Sequence, residues 1–131
     1  MDLEKYIKIP YKLKGRSFEG CDCWGLVRLV LKEEFRKELP LFTSYETVED
    51  VKKITKLIKE NQPIVCTERK PLPDIGDIVL ITFSGMLQHL GIYVGDARVL
   101  HTLKKTGAMC TRIDHPMLRG KIEGYYEVKN S

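Results

Sequence analysis

The chain has 131 residues, of which 43% are hydrophobic and 31% are charged. This is the length and composition of one folded domain, and it excludes collagen-like, low-complexity and wholly disordered proteins. Lys and Arg number 22 and Asp and Glu number 18, so the formal net charge is +4, too small a charge to predict a nucleic-acid partner. We therefore treat residues 1–131 as a single domain that does not bind nucleic acid.

Nothing in the sequence predicts insertion into a membrane or export. No apolar stretch approaches the roughly 20 residues of a membrane helix, and residues 1–12 carry charges where a signal peptide has its apolar core. We expect cytoplasmic synthesis without a signal peptide. The four cysteines, at positions 21, 23, 66 and 110, lack the density of a disulfide framework, so we expect reduced thiols.

The N-terminal part predicts a loop followed by a helix. Residues 9–21 contain proline and glycine and no lasting periodicity, which is typical of a loop. From Cys23 to about Lys37, apolar residues recur at helical spacing and charged residues take the other face, which predicts an amphipathic helix. Asp22 is a suitable N-cap for this helix, and Pro40 prevents its continuation.

The remaining pattern predicts a second helix and then a sheet. Apolar spacing favours a helix from about Thr47 to Glu60, where Thr47 and Asp50 have capping-box spacing. Pro63, Pro71 and Pro73 then frame a connector. Strand-like runs follow, joined by links too short for parallel crossovers, at 77–83, 88–94, 98–102, 108–113 and 121–128. Helices followed by an antiparallel sheet predict an α+β fold.

Cys23 is the candidate nucleophile because of its position in the first turn of the first helix. A helix N-terminus carries unpaired N–H groups and a partial positive charge, which favour a thiolate and also offer donors to an oxyanion. Cys66 and Cys110 fall in the connector and in a strand, and Cys21 falls in the loop, so none of them has this setting. The alternative is that Cys23 is simply a small buried apolar residue.

A cysteine nucleophile needs a base and a group that orients the base, and the chain has only three histidines. His89 alternates with Gly91 and Tyr93 on one face of a predicted strand, and the missing side chain at Gly91 would let a helix approach. His101 lies in the next predicted strand. His115, which precedes a proline, is expected to be a surface or capping residue without a catalytic role.

The hairpin register decides whether the two strand histidines meet. A three-residue loop places His101 opposite Gly91, on the same face as His89, whereas a two-residue loop places the histidines on opposite faces. The sequence therefore permits a triad of Cys23, His89 and His101 without establishing one. A zinc site that combines Cys21 and Cys23 with both histidines is the less favoured alternative, since structural zinc sites favour a wider gap between cysteines. We expect neither a metal nor a cofactor.

Several segments, taken together, resemble one family. In chain order they are Pro10-Tyr11 with Gly15 and Gly20, Asp22-Cys23-Trp24-Gly25-Leu26, Gly76-Asp77-Ile78-Val79, His89-Leu90-Gly91-Ile92-Tyr93 and Leu100-His101-Thr102. This order over residues 10–102 resembles the NlpC/P60 cysteine peptidases. The resemblance implies a papain-like α+β fold that cleaves peptide or amide bonds of bacterial cell-wall stem peptides, next to D-glutamate or diaminopimelate.

Carried over by position, the resemblance assigns a role to each candidate residue. It implies Cys23 as the nucleophile, His89 as the general base and His101 as the residue that orients it. Tyr11 matches the family's tyrosine, which helps to hold the oxyanion. Trp24 replaces the serine of the family motif, so it either contacts substrate, narrows the cleft or packs in the core, and Lys14 occupies a position that is usually glycine.

The Trp24 motif and the segment 119–126 look more like the phage and prophage tail-associated branch of the family. That likeness implies tail proteins as partners, beside the peptidoglycan stem peptide, and a location in a virion tail or delivery to the cell wall. Two alternatives remain open: a non-catalytic tail-assembly module with the same fold, and a papain-like acyltransferase or amidase that acts on another substrate.

Overall fold

The order of elements in the computed structural model, which describes residues 1–129, is helices first and sheet afterwards. A short 3-10 helix at Leu3–Lys5 and a two-stranded hairpin precede two α-helices and a six-stranded sheet. In chain order the remaining elements are β1 (Arg16–Ser17), β2 (Gly20–Cys21), α1 (Cys23–Phe35), α2 (Val51–Val65), β3 (Cys66–Lys70), β4 (Ile78–Phe83), β5 (Met86–Gly95), β6 (Arg98–Leu103), β7 (Gly107–Arg112) and β8 (Ile122–Val128).

The large sheet is antiparallel throughout, with the strand order β3-β8-β4-β5-β6-β7. The main core lies between this sheet and the helices, where Leu26 and Val30 of α1 pack with Leu90, Ile92 and Leu100 of the sheet. A smaller cluster of Val79, Ile81, Val99 and Leu118 covers the opposite face. The α+β fold class with helices packed on an antiparallel sheet is confirmed. Neither α-helix within residues 1–129 has the length and hydropathy needed to cross a bilayer.

The predicted start of α1 is confirmed, and its end lies two residues before the predicted one. The Asp22 carboxylate caps the helix by accepting the backbone N–H of Gly25 at 2.9 Å. The helix ends at Phe35 because Arg36 adopts a left-handed conformation with φ 55°. The stop is therefore a local C-cap, and Pro40 lies beyond it.

The predicted boundaries of α2 are wrong at both ends. The helix begins at Val51, with Asp50 as its N-cap, and Thr47 accepts the backbone N–H of Glu49 within the preceding loop. It continues through Pro63 to Val65. Pro63 has no N–H to donate to the carbonyl of Lys59, so the last turn lacks this hydrogen bond, and the N–H of Cys66 still donates to the Gln62 carbonyl.

Two short strand regions lie where the sequence predicts loops. The hairpin β1–β2 lies within the predicted loop at 9–21, so Cys21 is a buried strand residue. Cys66 is likewise the first residue of β3 and not part of a connector. β3 is an edge strand with one bulge, and four of its five side chains are polar or charged, which suits an edge strand. These residues show no apolar alternation from which a strand could be predicted.

The β5–β6 hairpin reaches the predicted register by a different turn. Residues 96–97 form a two-residue turn in which both residues have positive φ (52° and 57°), and a bulge in β5, between Tyr93 and Gly95, precedes the turn. Because the bulge shifts the pairing, Ile92 pairs with Leu100, and His101 therefore lies opposite Gly91. A two-residue turn was expected to separate the histidines, and the bulge is the reason that it does not.

The close approach at Gly91 involves a strand and not a helix, which corrects the expectation from the sequence. A Cβ atom at Gly91 would lie 2.7 Å from Val99 Cγ1 and 3.0 Å from the Cβ of His101. Gly91 thus leaves room for the His101 side chain on the neighbouring strand.

Candidate active site

A cavity of about 210 Å³ lies between the N-terminus of α1, the helix α2 and the strands β5 and β6. It brings together side chains that are far apart in the sequence. Six of the residues that line it are Tyr11, Cys23, Trp24, Tyr45, His89 and Lys104. The structure therefore places four of the five predicted site residues in one cavity, and the fifth, His101, lies directly behind His89.

The surroundings of Cys23 favour a neutral thiol over the thiolate that a helix N-terminus alone would favour. Burial raises the pKa of Cys23 to about 12, and the negative charge of Asp22 acts in the same direction. Hydrogen bonds to the backbone at Leu90 and Trp24 and the charge of Arg16 oppose the shift but do not reverse it. The helix N-terminus is thus outweighed by loss of hydration, so proton removal requires a base.

His89 and His101 form a hydrogen-bonded pair. His89 Nε2 lies 2.9 Å from His101 Nδ1, and the far nitrogen of His101, Nε2, lies 2.8 Å from Thr111 Oγ1. Phe83 stacks on the His89 ring with the centroids 5.4 Å apart. Burial lowers the pKa of His89 to about 3 and that of His101 to about 4, so both rings are neutral at neutral pH.

The pair leaves one nitrogen of His89 uncommitted. His101 occupies Nε2 of His89, so Nδ1 is the nitrogen that remains to act as a base. Among the residues that the structure describes, no hydrogen bond joins Cys23 to His89, although both line the same cavity. In enzymes without bound substrate, such catalytic contacts are often long and shorten when substrate binds.

Tyr11 is placed to donate a hydrogen bond into the cavity. The residue forms an isolated parallel bridge with Cys21, which fixes the backbone beside α1. Burial raises the pKa of Tyr11 to about 12, and the negative charge of Asp22 acts in the same direction. The hydroxyl therefore keeps its proton at neutral pH and can donate a hydrogen bond.

Trp24 belongs both to the cavity wall and to the core. Its indole N–H donates to the Pro40 carbonyl at 3.0 Å, and its ring packs against Phe42 with the centroids 5.5 Å apart. Trp24 also lines the cavity, together with Cys23. Both interpretations from the sequence, packing and cleft lining, are therefore compatible with its position.

Sequence reasoning missed an ion-pair network directly beside Cys23. Arg16 donates to Asp22 Oδ1 at 2.7 Å and to the Tyr45 hydroxyl at 2.8 Å, and the Tyr45 hydroxyl donates to Asp22. Arg16 also donates to the carbonyls of Leu41 and Phe42. These bonds hold the segment after α1 against the start of the same helix. No periodicity links Arg16 to Tyr45, so the sequence held no signal for the contact.

Lys14 has φ 61°, in the left-handed region that favours glycine. Its backbone N–H donates to Asp22 Oδ2 at 2.9 Å, which compensates for the unfavourable conformation. The glycine expected at this position is thus replaced by a residue whose backbone still takes the glycine-like shape.

Two further side chains escaped the sequence analysis. Thr111 bonds to His101 from β7, and Lys104 forms an ion pair of 3.3 Å with Glu49 beside the cavity. A signal for Thr111 existed, because a diagonal position across a hairpin brings side chains within reach. Finding it required the β6–β7 register, in which Val99 pairs with Thr111.

The less favoured zinc interpretation gains no support. Within residues 1–129, no group of three or more His, Cys, Asp or Glu side chains is arranged to hold a metal ion. The Cys21 thiol donates to the Ser17 carbonyl at 3.1 Å and all four cysteines are free thiols. His115 accepts the Met117 backbone N–H at 3.0 Å, as expected of a capping residue.

Comparison with known proteins supports the family that the sequence motifs resemble. The model of the NlpC/P60 family matches residues 8–125. Over 108 residues the chain is 28% identical to the Murein DD-endopeptidase MepS/Murein LD-carboxypeptidase of Escherichia coli (strain K12), a match that covers 82% of this chain and 50% of that protein. The chain thus spans about half the length of the curated relatives it matches.

Solved structures share the fold at low sequence identity. The NlpC/p60 domain of the peptidoglycan hydrolase SagA has a TM-score of 0.62 and 17% identity, with 97% of this chain and 92% of that chain covered. A lipoprotein-like NLP/P60 protein of Staphylococcus aureus has a TM-score of 0.63 and 18% identity, with 97% and 39% covered. With the family model matching 118 positions in the range 8–125, the chain belongs to the NlpC/P60 family.

Proposed function

We propose that this protein is a cysteine peptidase that hydrolyses an amide bond in the stem peptide of peptidoglycan. The observation that carries the proposal is a cavity shared by the Cys23 thiol at a helix start and the neutral His89 ring. A hydrogen bond joins this ring to His101. The relatives support the substrate class, because their names describe murein endopeptidases and a peptidoglycan hydrolase.

Because the Cys23 thiol is neutral, the proposed reaction begins with removal of its proton. His89 Nδ1 takes the proton of Cys23 as the sulfur attacks the substrate carbonyl carbon. The C–N bond then breaks, and His89 returns this proton to the departing amine. His89 next takes a proton from water as the water oxygen attacks the carbonyl carbon of the thioester. The C–S bond breaks, the carboxylic acid product departs, and His89 returns the proton to the Cys23 sulfur.

Two donors are available for the oxyanion of the tetrahedral intermediate. The Tyr11 hydroxyl keeps its proton at neutral pH, and the backbone N–H of Cys23 belongs to the first turn of α1, whose N–H groups lack helical partners. Each such donor contributes about 3 kcal/mol to transition-state stabilisation in other hydrolases. His101 orients His89 and accepts from its Nε2.

The charge at the cavity supports a substrate that carries a carboxylate. Within the described residues, Lys104 is the one charged side chain among those that line the cavity, and its partner Glu49 is 80% exposed. A stem peptide cut near D-glutamate or diaminopimelate presents a carboxylate close to the scissile bond. Such a carboxylate would replace Glu49 as the partner of Lys104.

An association with a phage or prophage tail remains a prediction that rests on sequence resemblance, through Trp24 and the segment 119–126. The alternatives are a non-catalytic tail module and an acyltransferase or amidase that acts on another substrate. Each of these would keep the same fold, so only activity distinguishes them.

Digestion of purified peptidoglycan tests the proposal. Walls with diaminopimelate and walls with lysine are incubated with the wild type, with Cys23→Ser and with Cys21→Ser as the matched control, and the released fragments are weighed by mass spectrometry. We expect the wild type and Cys21→Ser to release the same stem-peptide fragments and Cys23→Ser to release none. Release by Cys23→Ser at the wild-type rate would refute the role of Cys23, and a wild type inactive on walls and on soluble stem peptides would favour the non-catalytic module.

A further inference from the structure

His101 has a second partner that the triad does not include. Its Nε2 lies 2.8 Å from the Thr111 hydroxyl oxygen, and both residues are buried, with exposed fractions of 0% for His101 and 4% for Thr111. The contact crosses from β6 to β7. Thr111 pairs directly with Val99, so His101 lies diagonally across from Thr111. A buried polar contact of this length fixes the direction of an imidazole ring.

We infer that Thr111 is a positioning residue of the site: its hydroxyl accepts the Nε2 proton of His101, which leaves His101 Nδ1 free to accept from His89. The inference rests on the proposed role of His89 as the base. It extends the arrangement of Cys23, His89 and His101 by one residue that acts only through His101.

The positions of the protons distinguish two arrangements of the neutral pair. One proton must lie between His89 Nε2 and His101 Nδ1, since two lone pairs 2.9 Å apart would repel each other. If His89 owns this proton, its Nδ1 is a bare lone pair and His101 carries its own proton on Nε2, facing Thr111. If His101 owns it, His89 is protonated on Nδ1 and cannot accept the thiol proton.

The reaction itself selects the first arrangement. Once His89 has taken the proton of Cys23, both of its nitrogens carry protons, so His101 Nδ1 must accept. The proton of neutral His101 is then on Nε2, buried and in need of an acceptor, and the Thr111 oxygen lies at hydrogen-bond distance. A hydroxyl can take this role because it accepts as well as donates. Thr111 therefore stabilises the state in which His89 is charged.

The surroundings of His101 hold its ring in this position. The missing side chain at Gly91 leaves space for it, because a Cβ there would lie 3.0 Å from His101 Cβ. Without the Thr111 hydroxyl, the Nε2–H of His101 would lose its acceptor in a buried site, and leaving such a donor unpaired is costly. We therefore expect removal of the hydroxyl to shift the pair toward the arrangement that inactivates His89.

Nitrogen-15 NMR of the histidine rings tests the inference on the resting protein. The spectra of the wild type, Thr111→Val and Thr111→Ser show which ring nitrogen of His89 and His101 carries the proton. Thr102→Val is the matched control for the spectra, since it removes a buried hydroxyl next to His101 in β6 that bonds to neither ring. Thermal unfolding of each variant shows whether it folds.

We expect Nε2-protonated rings in the wild type, in Thr111→Ser and in Thr102→Val, and a larger fraction of Nδ1-protonated rings in Thr111→Val. With stem peptide, Thr111→Val should lower kcat about ten- to a hundredfold with KM unchanged, the cost typical of losing a group that orients a histidine, and Thr111→Ser should restore it. A wild-type His101 protonated on Nδ1, or a folded Thr111→Val with unchanged spectra, would overturn the inference. The spectra need no turnover, so an inactive wild type would refute the proposed function and leave the proton assignment to be decided by NMR.

Discussion

The Asp22 carboxylate caps α1 one residue before Cys23, and its charge works against ionisation of the thiol that follows it. Burial is the larger cause of the raised pKa of Cys23, and the carboxylate adds to it. A residue that stabilises the helix therefore makes the nucleophile less acidic. In the proposed reaction, His89 must therefore remove the thiol proton of Cys23, which would link catalysis to the histidine pair.

Alkylation of the free protein should be slow at Cys23. Because burial raises the pKa of Cys23 to about 12 and that of Cys66 to about 11, neither thiol is ionised in mildly acidic solution. We expect iodoacetamide to label neither selectively at pH 6, and the labelling rate of each to rise with pH above neutrality, as followed by peptide mass spectrometry. Rapid labelling of Cys23 alone at pH 6 would contradict the neutral thiol.

Asp22→Asn should affect stability and thiol reactivity in opposite senses. It breaks a buried ion pair with Arg16, whose nitrogen lies 2.7 Å from the carboxylate, and should lower the free energy of unfolding by about 3 kcal/mol. It also removes the charge that raises the pKa of Cys23, so alkylation at pH 8 should become faster. Urea denaturation and timed labelling measure the two effects.

Asp114→Asn is the matched control for the Asp22 variant. Asp114 pairs with Arg112 at 3.0 Å, but both side chains are more than half exposed. An exposed pair of this kind contributes little to stability. Equal losses of stability in the two variants would show that the Arg16–Asp22 pair is not the cause.

The elements predicted from the sequence are those whose signal is local. The start of α1 at Cys23 follows from apolar spacing and from Asp22 as a cap, and the five strands follow from their alternation. The edge strand β3 carries no such alternation, because most of its side chains face solvent. The continuation of α2 through Pro63 was missed because proline usually ends a helix, whereas α2 continues despite the loss of one backbone hydrogen bond.

In the candidate site, too, the residues with a local sequence signal were predicted and those that depend on contacts between distant segments were not. Cys23, His89 and His101 are found from residue type and resemblance, and their cavity and hydrogen bond agree with the prediction of a common site. The raised pKa of Cys23 could not be predicted from its helix position, because burial depends on tertiary packing. Arg16, Tyr45 and Thr111 enter only through contacts between distant segments.

Acid should destabilise the fold through the histidine pair. Burial lowers the pKa of His89 to about 3 and that of His101 to about 4, whereas in the unfolded chain each titrates near 6.5. Below about pH 6.5 the unfolded state binds more protons, so the free energy of unfolding falls as pH falls, by up to about 1.4 kcal/mol per pH unit for each ring. Urea denaturation between pH 7 and pH 5 measures this slope.

Two variants test whether the histidine pair causes the pH dependence of the free energy of unfolding. His89→Gln should reduce the slope, and His115→Gln, at an exposed position, should leave it as in the wild type. A wild-type stability that does not change over this range would show that the rings are not held neutral.

Tyr11→Phe should slow hydrolysis with little effect on the fold. The variant removes one hydroxyl that lines the cavity beside Cys23 and that keeps its proton at neutral pH. If this hydroxyl holds the oxyanion, kcat on stem peptide should fall about a hundredfold or more with KM nearly unchanged, as for the loss of one oxyanion donor. If kcat and the melting temperature were both those of the wild type, Tyr11 would line the cavity without holding the oxyanion.

Lys104 and Glu49 should have opposite effects on substrate selection. Lys104 is half exposed and pairs with Glu49 at 3.3 Å, and exposed pairs of this kind are weak enough for a substrate carboxylate to replace the partner. Lys104→Met should therefore raise KM for a stem peptide with a free carboxylate next to the scissile bond, and Glu49→Gln should lower it. The same peptide with this carboxylate amidated is the control, because both variants should treat it nearly as the wild type does. If Lys104→Met raised KM equally for both peptides, the lysine would act on the shape of the cavity and not on charge.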